Sequence, residues 1–322
     1  MPAAELEGFS LAAIRAAQAR IAPYIRRTPL VSSATLSRRL GAPVYLKLEL
    51  FQKTGAFKVR GAFNKMAPLA PGTRVVAVSG GNHAQAVAYA AGVLGMHARV
   101  FMPASTPVNY LDATRGYGAE VVLVEAIADA FAQAQAAVAG GCVMVHPFDD
   151  PVIIAGQGTL GLEIAEDLPD VSDVLVSIGG GGLAAGVAAA LKPLQPHIRI
   201  WGVETEGADA MARALAAGAP VTIQPTSIAR TLGAPSVSQT TLRAAQRWFE
   251  KVEVVADAAA MAALEFLLER AKVLTEPAAA CTLAAADRLR PNFRPDRPVV
   301  LVLCGGNFAL ADLCRYRAAA PA

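Results

Sequence analysis

The chain has 322 residues, of which 54% are hydrophobic and 17% are charged, and its formal net charge is +3. This composition is typical of a folded protein of about two domains and excludes a disordered chain. The weak, scattered positive charge gives no support for nucleic-acid binding, and the four cysteines lack the CxxC spacing of a zinc site. The N-terminus has no signal-peptide pattern, so we expect a cytoplasmic protein with no membrane partner.

Strands and helices are predicted to alternate along most of the chain. Helices are expected at 12–21 and 34–40, followed by a strand at 44–48 and a helix that begins near Lys58. The further predicted strands are 75–78, 99–102, 120–124, 142–145, 174–178, 198–203, 253–255 and 299–303. The further predicted helices are 82–94, 108–116, 128–138, 155–167, 183–191, 208–216, 240–249, 257–270, 277–288 and 308–318. This alternation, with strands that are apolar throughout, predicts an α/β fold with doubly wound, mostly parallel sheets.

Lys58 follows a Thr-Gly break and lies near the first turn of its predicted helix. The positive end of the helix dipole and the apolar neighbours Phe57 and Val59 disfavour the ammonium form, so we expect a lowered pKa for Lys58. Because only a free amine attacks a carbonyl, Lys58 is a candidate for Schiff-base chemistry. A solvated lysine on an amphipathic helix is the alternative interpretation.

Loops that follow parallel strands are where ligands bind in such sheets, and the first candidate is the SGGNH segment at 79–83. Its small residues and the free N–H groups of a helix start suit a carboxylate. Asn82 adds a neutral donor and acceptor, and His83 adds a titratable ring. A glycine-rich turn with Asn82 as the helix cap is the alternative.

The second candidate loop consists of four consecutive glycines between a predicted strand and a predicted helix: Gly179, Gly180, Gly181 and Gly182. Their backbone N–H groups predict a cradle for a phosphate. The segment lacks the Lys-Ser/Thr of a P-loop and the G-x-G-x-x-G spacing of a dinucleotide fold, which favours an isolated phosphate ester. Tight packing of strand on helix, the alternative, needs fewer glycines.

The third candidate loop begins at Cys304, directly after the apolar strand VVLVL. This position predicts a thiol at the strand end, facing a cleft. A buried structural thiol and a weak hydrogen-bond partner for a ligand ring nitrogen are both compatible with it.

Taken together, the motifs resemble those of the pyridoxal-phosphate (PLP) enzymes of fold type II, in particular the threonine/serine dehydratase (ammonia-lyase) family. The matching segments are RRTPL (26–30), KLELFQKTGAFKVRGA (47–62), SGGNHAQ (79–85), DATRGYGAE (112–120), HPFDDPVIIAGQGTLGLEI (146–164), GGGGLAAG (179–186), VE (203–204), EPAAA (276–280) and CGGN (304–307). They cover nearly the whole chain in the order of the family.

The resemblance implies a two-domain, tryptophan synthase β-like fold with PLP in the interdomain cleft. Residues 1–66 and 152–322 would form a large PLP-binding domain, and residues 67–151 a small domain that closes on the substrate. A homodimer is expected from the same resemblance.

The resemblance also implies a role for each candidate residue. Lys58 would carry PLP covalently and act as the base on the α-carbon of the substrate, with Ser79 as a second catalytic residue. The other expected PLP contacts are Phe57 beside the ring, Asn82 at the phenolic oxygen, Gly179, Gly180, Gly181 and Gly182 at the phosphate, and Cys304 at the pyridine nitrogen. The substrate carboxylate would be held by Ser79, Gly81, Asn82 and His83.

The implied reaction is dehydration and deamination of a β-hydroxy-L-amino acid such as threonine or serine, a small-molecule substrate, to a 2-oxo acid and ammonia. Departures from the family pattern keep alternatives open. Gly80 stands where racemases of this family carry a second serine, which disfavours racemisation. Tyr110 and the segment 227–232 also depart from the pattern, and a phenylserine-type or hydroxyaspartate-type substrate is the alternative. A cation site near Glu204 is in doubt because Ala210 replaces an acid, and no metal site is assigned.

Overall fold

Two β-sheets organise the chain in the computed structural model, which describes residues 8–319. The strands are β1 (Leu30–Ser32), β2 (Val44–Leu48), β3 (Arg74–Val78), β4 (His97–Pro103), β5 (Glu120–Val124), β6 (Val143–Met144), β7 (Asp173–Ser177), β8 (Arg199–Thr205), β9 (Phe249–Val255) and β10 (Val299–Leu303). The helices are α1 (Leu11–Ile21), α2 (Ala34–Leu40), α3 (Val59–Met66), α4 (Asn82–Val93), α5 (Val108–Gly116), α6 (Ile127–Ala139), α7 (Pro151–Asp167), α8 (Gly182–Leu194), α9 (Ala210–Ala217), α10 (Gln239–Trp248), α11 (Asp257–Phe266), α12 (Pro277–Leu289) and α13 (Leu310–Ala319).

The larger sheet has the strand order β1-β2-β10-β7-β8-β9 and is parallel except for β1. Its central strand β10 is fully buried, as its sequence VVLVL requires when helices cover both faces. Val299 at the start of β10 pairs with Val44 on one side and Asp173 on the other. This register brings the carboxyl ends of β2, β7 and β10 to one edge.

The smaller sheet has the order β5-β4-β3-β6, and all its pairings are parallel. It is built from residues 74–144, a segment within the predicted small domain at 67–151. The domain boundaries themselves remain a prediction, and residues 1–7 and 320–322 of the predicted large domain lie outside the described residues.

Helices α7 and α8 approach so closely that glycine is required where they cross. A Cβ on Gly186 would lie 2.5 Å from the carbonyl oxygen of Ile154, and one on Gly158 would lie 2.8 Å from that of Gly186. Because these contacts join backbone atoms, no side-chain movement can relieve them. They therefore fix the position of α8 against α7, and with it the position of the glycine loop that precedes α8.

A neutral cluster of buried charges holds the start of α3. The Arg60 guanidinium donates to Glu49 at 2.8 and 2.7 Å and to Glu163 at 2.7 and 3.0 Å. The Lys47 ammonium donates to Glu163 at 2.6 Å and to the carbonyl of Thr28 at 2.7 Å. Burial alone would lower the pKa of Arg60, but the Glu49 carboxylate raises it above its ordinary value. Arg60 therefore stays ionised, and the ion pairs of Arg60 and Lys47 tie α3 to β2 and α7.

The predicted elements are confirmed, with corrections at their ends. Strand β1 was not predicted, because three residues on an edge carry too little alternation to detect. Helix α7 begins at Pro151 and not at 155, since the Asp150 side chain caps it by accepting from the N–H of Val152 at 2.8 Å. The uncharged stretch 174–191 forms a strand, a loop and a helix. Among residues 8–319, no helix is both long and apolar enough to cross a membrane.

Candidate active site

A cavity of about 670 Å³ opens at the carboxyl ends of β3, β4, β7 and β10, with both sheets contributing to its walls. Every residue predicted for the site lines this one cavity: Phe57, Lys58, Ser79, Gly81, Asn82, His83, Gly179, Gly180, Gly181, Gly182 and Cys304. The structure therefore brings together loops that are separated by more than a hundred residues in the sequence.

Lys58 lies at the N-cap position of α3, as its spacing predicted. Its amine donates to the carbonyl of Pro147 at 2.7 Å and lies 5.2 Å from the centre of the Phe57 ring. Burial lowers the pKa of Lys58 to about 8, although Cys304 and Glu276 act in the opposite direction. A much larger fraction of this amine is therefore unprotonated at neutral pH than in an ordinary lysine.

The loop before Lys58 is fastened to the loop after β10. Ala56 and Gly305 form an antiparallel bridge, and the N–H of Phe57 donates to the carbonyl of Cys304 at 3.0 Å. These backbone bonds set the position of Lys58 relative to Cys304. Burial raises the pKa of Cys304 to about 12, so its thiol is neutral. The Cys304 sulfur lies 3.3 Å from the hydroxyl oxygen of Ser177, a residue that sequence analysis did not identify.

The glycine loop at 179–182 connects β7 to the first turn of α8, where N–H groups have no partner within the helix. Space for side chains is absent: a Cβ on Gly180 would collide with the Phe148 ring, and one on Gly181 would lie 2.7 Å from Thr241. Gly181 also has a φ of +94°, which glycine adopts without strain. Bare backbone amides at a helix start are the donor set that a phosphate requires.

Asn82 begins α4, and its side chain belongs to a network that crosses the cavity. The amide nitrogen of Asn82 donates to the two carboxylate oxygens of Glu276 at 2.9 and 3.2 Å. The amide oxygen of Asn82 accepts from the Asn307 side chain at 2.8 Å. Thr231 also donates to Glu276, at 3.0 Å. Burial raises the pKa of Glu276 to about 7, so this carboxyl changes charge near neutrality.

Glu276 was not identified as a site residue from the sequence, although it opens the EPAAA motif. Its partner Asn82 is 194 positions away in the chain, so no local pattern reports the contact. The available signal was a glutamate directly before Pro277, at an N-cap position where Ser, Thr, Asp or Asn is preferred. In the structure its side chain makes no cap hydrogen bond to α12.

Tyr110 adds a second link across the cavity. It lies on α5, next to the smaller sheet, and its buried hydroxyl donates to the carbonyl of Asn307, in the loop after β10. The Asn307 side chain donates in turn to the carbonyl of Thr54 at 2.7 Å. Tyr110 and Asn82 thus bond the same residue from two helices of the segment 67–151.

Ser79 and His83 occupy the proposed carboxylate loop in different ways. The Ser79 hydroxyl oxygen accepts from the N–H of Gly81 at 3.1 Å, which leaves its own proton free to donate. The His83 ring bonds the carbonyl of Val145 through Nε2 at 2.8 Å, and its Nδ1 has no partner among the described residues. Burial, with a contribution from Lys58, lowers the pKa of His83 to about 3, so the ring is neutral.

Glu204, near which a cation site was considered, is hydrogen-bonded to backbone N–H groups. Its carboxylate accepts from the N–H groups of Met211 and Ala212, both at 2.8 Å, and burial raises the pKa of Glu204 to about 8. Among residues 8–319, no group of three or more His, Cys, Asp or Glu side chains is arranged to hold a metal ion.

The cavity fits PLP on the residues present. It offers a nucleophilic amine at Lys58, bare amides for a phosphate at 179–182 and a neutral thiol at Cys304 for a ring nitrogen. These groups belong to a single cavity whose size suits a cofactor together with a small substrate.

Comparison with known proteins gives the same answer. A family model described as pyridoxal-phosphate dependent enzyme matches residues 21–305. The chain is 44% identical to the L-threonine ammonia-lyase of Geobacter sulfurreducens, over 91% of this chain and 74% of that protein. A threonine deaminase from T.th. superposes with a TM-score of 0.87 at 40% identity, covering 94% of this chain and 99% of that one. Maize serine racemase superposes with a TM-score of 0.90 at 35% identity, covering 97% and 98%.

These matches confirm three predictions from the sequence: the resemblance to fold type II PLP enzymes, the α/β fold class and PLP as the cofactor. The chain belongs to the pyridoxal-phosphate dependent enzyme family.

Proposed function

We propose that the protein removes water from a β-hydroxy-L-amino acid, threonine or serine, and that the resulting imine takes up water to yield a 2-oxo acid and ammonia. The observation that carries this proposal is the Lys58 amine, with its pKa lowered to about 8, in the same cavity as the glycine loop at 179–182. Relatives named L-threonine ammonia-lyase, at 44% and 40% identity, support it.

When bound, PLP supplies an electron-withdrawing ring that makes the α-proton of an attached amino acid acidic. In the proposal, Lys58 holds the cofactor and then takes the proton from the α-carbon, which a free amine does near neutral pH. Gly179, Gly180, Gly181 and Gly182 hold the phosphate with backbone N–H groups. Cys304, as a neutral thiol, hydrogen-bonds the ring nitrogen without protonating it.

Asn82 is proposed for the phenolic oxygen of the cofactor and for the substrate. Its amide nitrogen has two protons, and Glu276 requires only one of them. The second proton is then available to a ligand oxygen, while Asn307 fixes the orientation of the amide from the other side.

The substrate carboxylate is assigned to the loop at the start of α4. The Ser79 hydroxyl, oriented by the N–H of Gly81, and the N–H groups of Asn82 and His83 are its proposed donors, at the positive end of the helix dipole. The His83 ring is neutral and already bonds Val145, so the proposal uses its backbone N–H.

A second candidate substrate is 3-hydroxyaspartate, and Arg230 is the observation that favours it. Arg230 lines the cavity, is exposed, and its guanidinium makes no ion pair among the described residues. The aromatic side chains Phe131 and Phe148 line the same cavity and favour phenylserine as the other alternative.

The test is a panel of L-threonine, L-serine, threo-phenylserine and 3-hydroxyaspartate, each assayed for ammonia release by the PLP-loaded enzyme. Release from threonine or serine with the highest kcat/KM supports the proposal. No ammonia from any of the four contradicts it. Chiral analysis of recovered serine tests racemisation, which Gly80 disfavours because glycine has no side chain to move a proton.

We also propose a cytoplasmic location and a homodimer. The free thiols of Cys142, Cys281, Cys304 and Cys314 are compatible with a reducing compartment. Sedimentation of the loaded enzyme tests the dimer.

A further inference from the structure

Thr106, in the loop after β4, has a buried hydroxyl with no hydrogen-bond partner among the described residues. The residue is 8% exposed and lines the cavity. Of the unpartnered buried side-chain atoms found in residues 8–317, only those of Thr106 and His83 belong to residues that line this cavity. Because a buried hydroxyl without a partner is costly, this one is placed to bind a ligand.

The Thr106 hydroxyl lies against the loop proposed for the substrate carboxylate. A Cβ built on Gly80 would be 2.7 Å from the Thr106 hydroxyl oxygen, closer than real Cβ contacts. The next nearest atom, in Pro103, is at an ordinary 3.4 Å. The φ angle of Gly80 is not in the left-handed region, so the backbone does not require glycine here. Glycine at position 80 is therefore explained by the space that the Thr106 hydroxyl occupies.

A carboxylate is the ligand group that this arrangement suits. Gly80 follows Ser79, whose hydroxyl accepts from the N–H of Gly81 and is itself a proposed carboxylate donor. A threonine hydroxyl beside them adds a further donor from a different loop, and a carboxylate accepts several such bonds. The parallel strands β3 and β4 are neighbours, so their carboxyl ends bring the two loops together.

We propose that Thr106 is a substrate-binding residue whose hydroxyl donates a hydrogen bond to the carboxylate of the amino acid, with Gly80 keeping the space free. The inference rests on the proposed function and deepens it. Thr106 would add a carboxylate donor from the loop after β4, separate from the donors at the start of α4.

Thr106→Val replaces the hydroxyl with a methyl group of the same shape, so it removes the bond without opening a cavity. We expect KM for L-threonine to rise about tenfold with kcat changed less than twofold, because the lost bond is to a charged group. Thr106→Ser should retain a KM close to that of the parent enzyme. Thr114→Val is the matched control, because Thr114 is a buried threonine whose hydroxyl is already bonded to the carbonyl of Tyr110 at 2.7 Å. An unchanged KM in Thr106→Val overturns the proposal.

Binding of unreactive analogues identifies the group that Thr106 contacts. L-2-aminobutyrate has the carboxylate but no β-hydroxyl, and L-threoninol has the β-hydroxyl but no carboxylate. Titration of the loaded enzyme, followed by its absorbance, should show Thr106→Val weakening aminobutyrate about tenfold and threoninol less than twofold. The reverse pattern would mean that Thr106 binds the β-hydroxyl and would overturn the assignment to the carboxylate.

A double substitution tests the role of Gly80. Gly80→Ala should raise KM as Thr106→Val does, since the added methyl displaces the hydroxyl. In the Thr106→Ala variant, adding Gly80→Ala should not raise KM any further. Full additivity of the two effects contradicts the proposal.

The two claims fail separately. If none of the β-hydroxy amino acids releases ammonia, the proposed function fails, while the aminobutyrate titration still decides whether Thr106 holds a carboxylate. If threonine is deaminated and Thr106→Val has no effect on KM or on aminobutyrate binding, only this inference fails.

Discussion

The buried charges beneath α3 and the polar groups of the cavity are both removed from water, but they differ in how they are partnered. Arg60, Glu49 and Glu163 form a closed set in which every charge meets an opposite one at 3.0 Å or less. In the cavity, the Thr106 hydroxyl and His83 Nδ1 have no partner among the described residues. A closed set contributes to the scaffold, whereas buried polar atoms left open indicate where a ligand binds.

The buried groups beneath α3 and those in the cavity also differ in the direction in which their pKa values are shifted. Ion pairing beneath α3 holds the pKa of Glu163 below its ordinary value even though burial acts to raise it. In the cavity, burial has the larger effect, and it moves the pKa of Lys58 down to about 8 and that of Glu276 up to about 7. Arg60 and Glu163 in the scaffold keep their charges across the physiological range, whereas Lys58 and Glu276 in the cavity exchange protons within it.

The largest expected effect is on turnover. Lys58→Ala removes the amine that is proposed to hold PLP and to move the α-proton, so we expect ammonia release to fall by at least about 10³-fold. Folding should be retained, which circular dichroism checks. Persistent turnover in this variant would refute the role of Lys58.

The next largest effect is expected on stability, from a substitution that removes Arg60 from the buried cluster with Glu49 and Glu163. Arg60→Met leaves the Glu49 and Glu163 carboxylates buried without their main partner, and we expect a loss of about 3 to 5 kcal/mol in the free energy of unfolding. Urea denaturation measures it. Arg115→Met, which removes an exposed arginine 3.9 Å from Asp112, is the control and should leave the midpoint unchanged. Equal midpoints for Arg60→Met and the parent would contradict the structural role.

A smaller effect is expected from Glu276→Gln, which keeps an acceptor for Asn82 but removes its charge. Since a charged acceptor is stronger than a neutral one by about 1 kcal/mol, we expect kcat/KM to fall about fivefold. In the parent enzyme, the plot of kcat/KM against pH should show an ionisation near pH 7 that comes from Glu276. This ionisation should be absent from the plot for Glu276→Gln. A profile with the same acidic limb in the variant would assign that limb to another group.

The smallest effect concerns pH and His83. Burial lowers the pKa of His83 to about 3, whereas the unfolded chain takes up this proton near 6.5. The unfolded state therefore binds more protons between these values, and stability falls as the pH drops below 6.5. We expect His83→Gln to reduce this loss by about 1 kcal/mol between pH 7 and 5.5, measured by urea denaturation. An unchanged pH dependence would show that His83 is not the group responsible.

Local patterns were sufficient for most of the fold. Apolar runs such as VVLVL and the Thr-Gly break before Lys58 predicted β10 and the start of α3 because both signals are contained in a few adjacent residues. The π-helical turn at Leu267–Ala271 was not distinguished from the end of α11, since its sequence has ordinary helical composition.

The candidate site was predictable where a motif carries the chemistry, as with Lys58 and the four glycines. Contacts between distant segments were not predictable. The Glu276 bond to Asn82 spans 194 positions, and the fit of Thr106 against Gly80 depends on two loops meeting above neighbouring strands. Such residues are recognised by what they touch, and a single sequence contains no record of those contacts.

Attachment of the cofactor to Lys58 is the central feature of the proposed site. The purified protein is incubated with pyridoxal 5'-phosphate, reduced with borohydride, digested and analysed by mass spectrometry. We expect one phosphopyridoxyl group on the peptide that contains Lys58, and none in Lys58→Ala. A label on a different lysine, or no label after incubation, would contradict the assignment of Lys58 as the cofactor-binding residue.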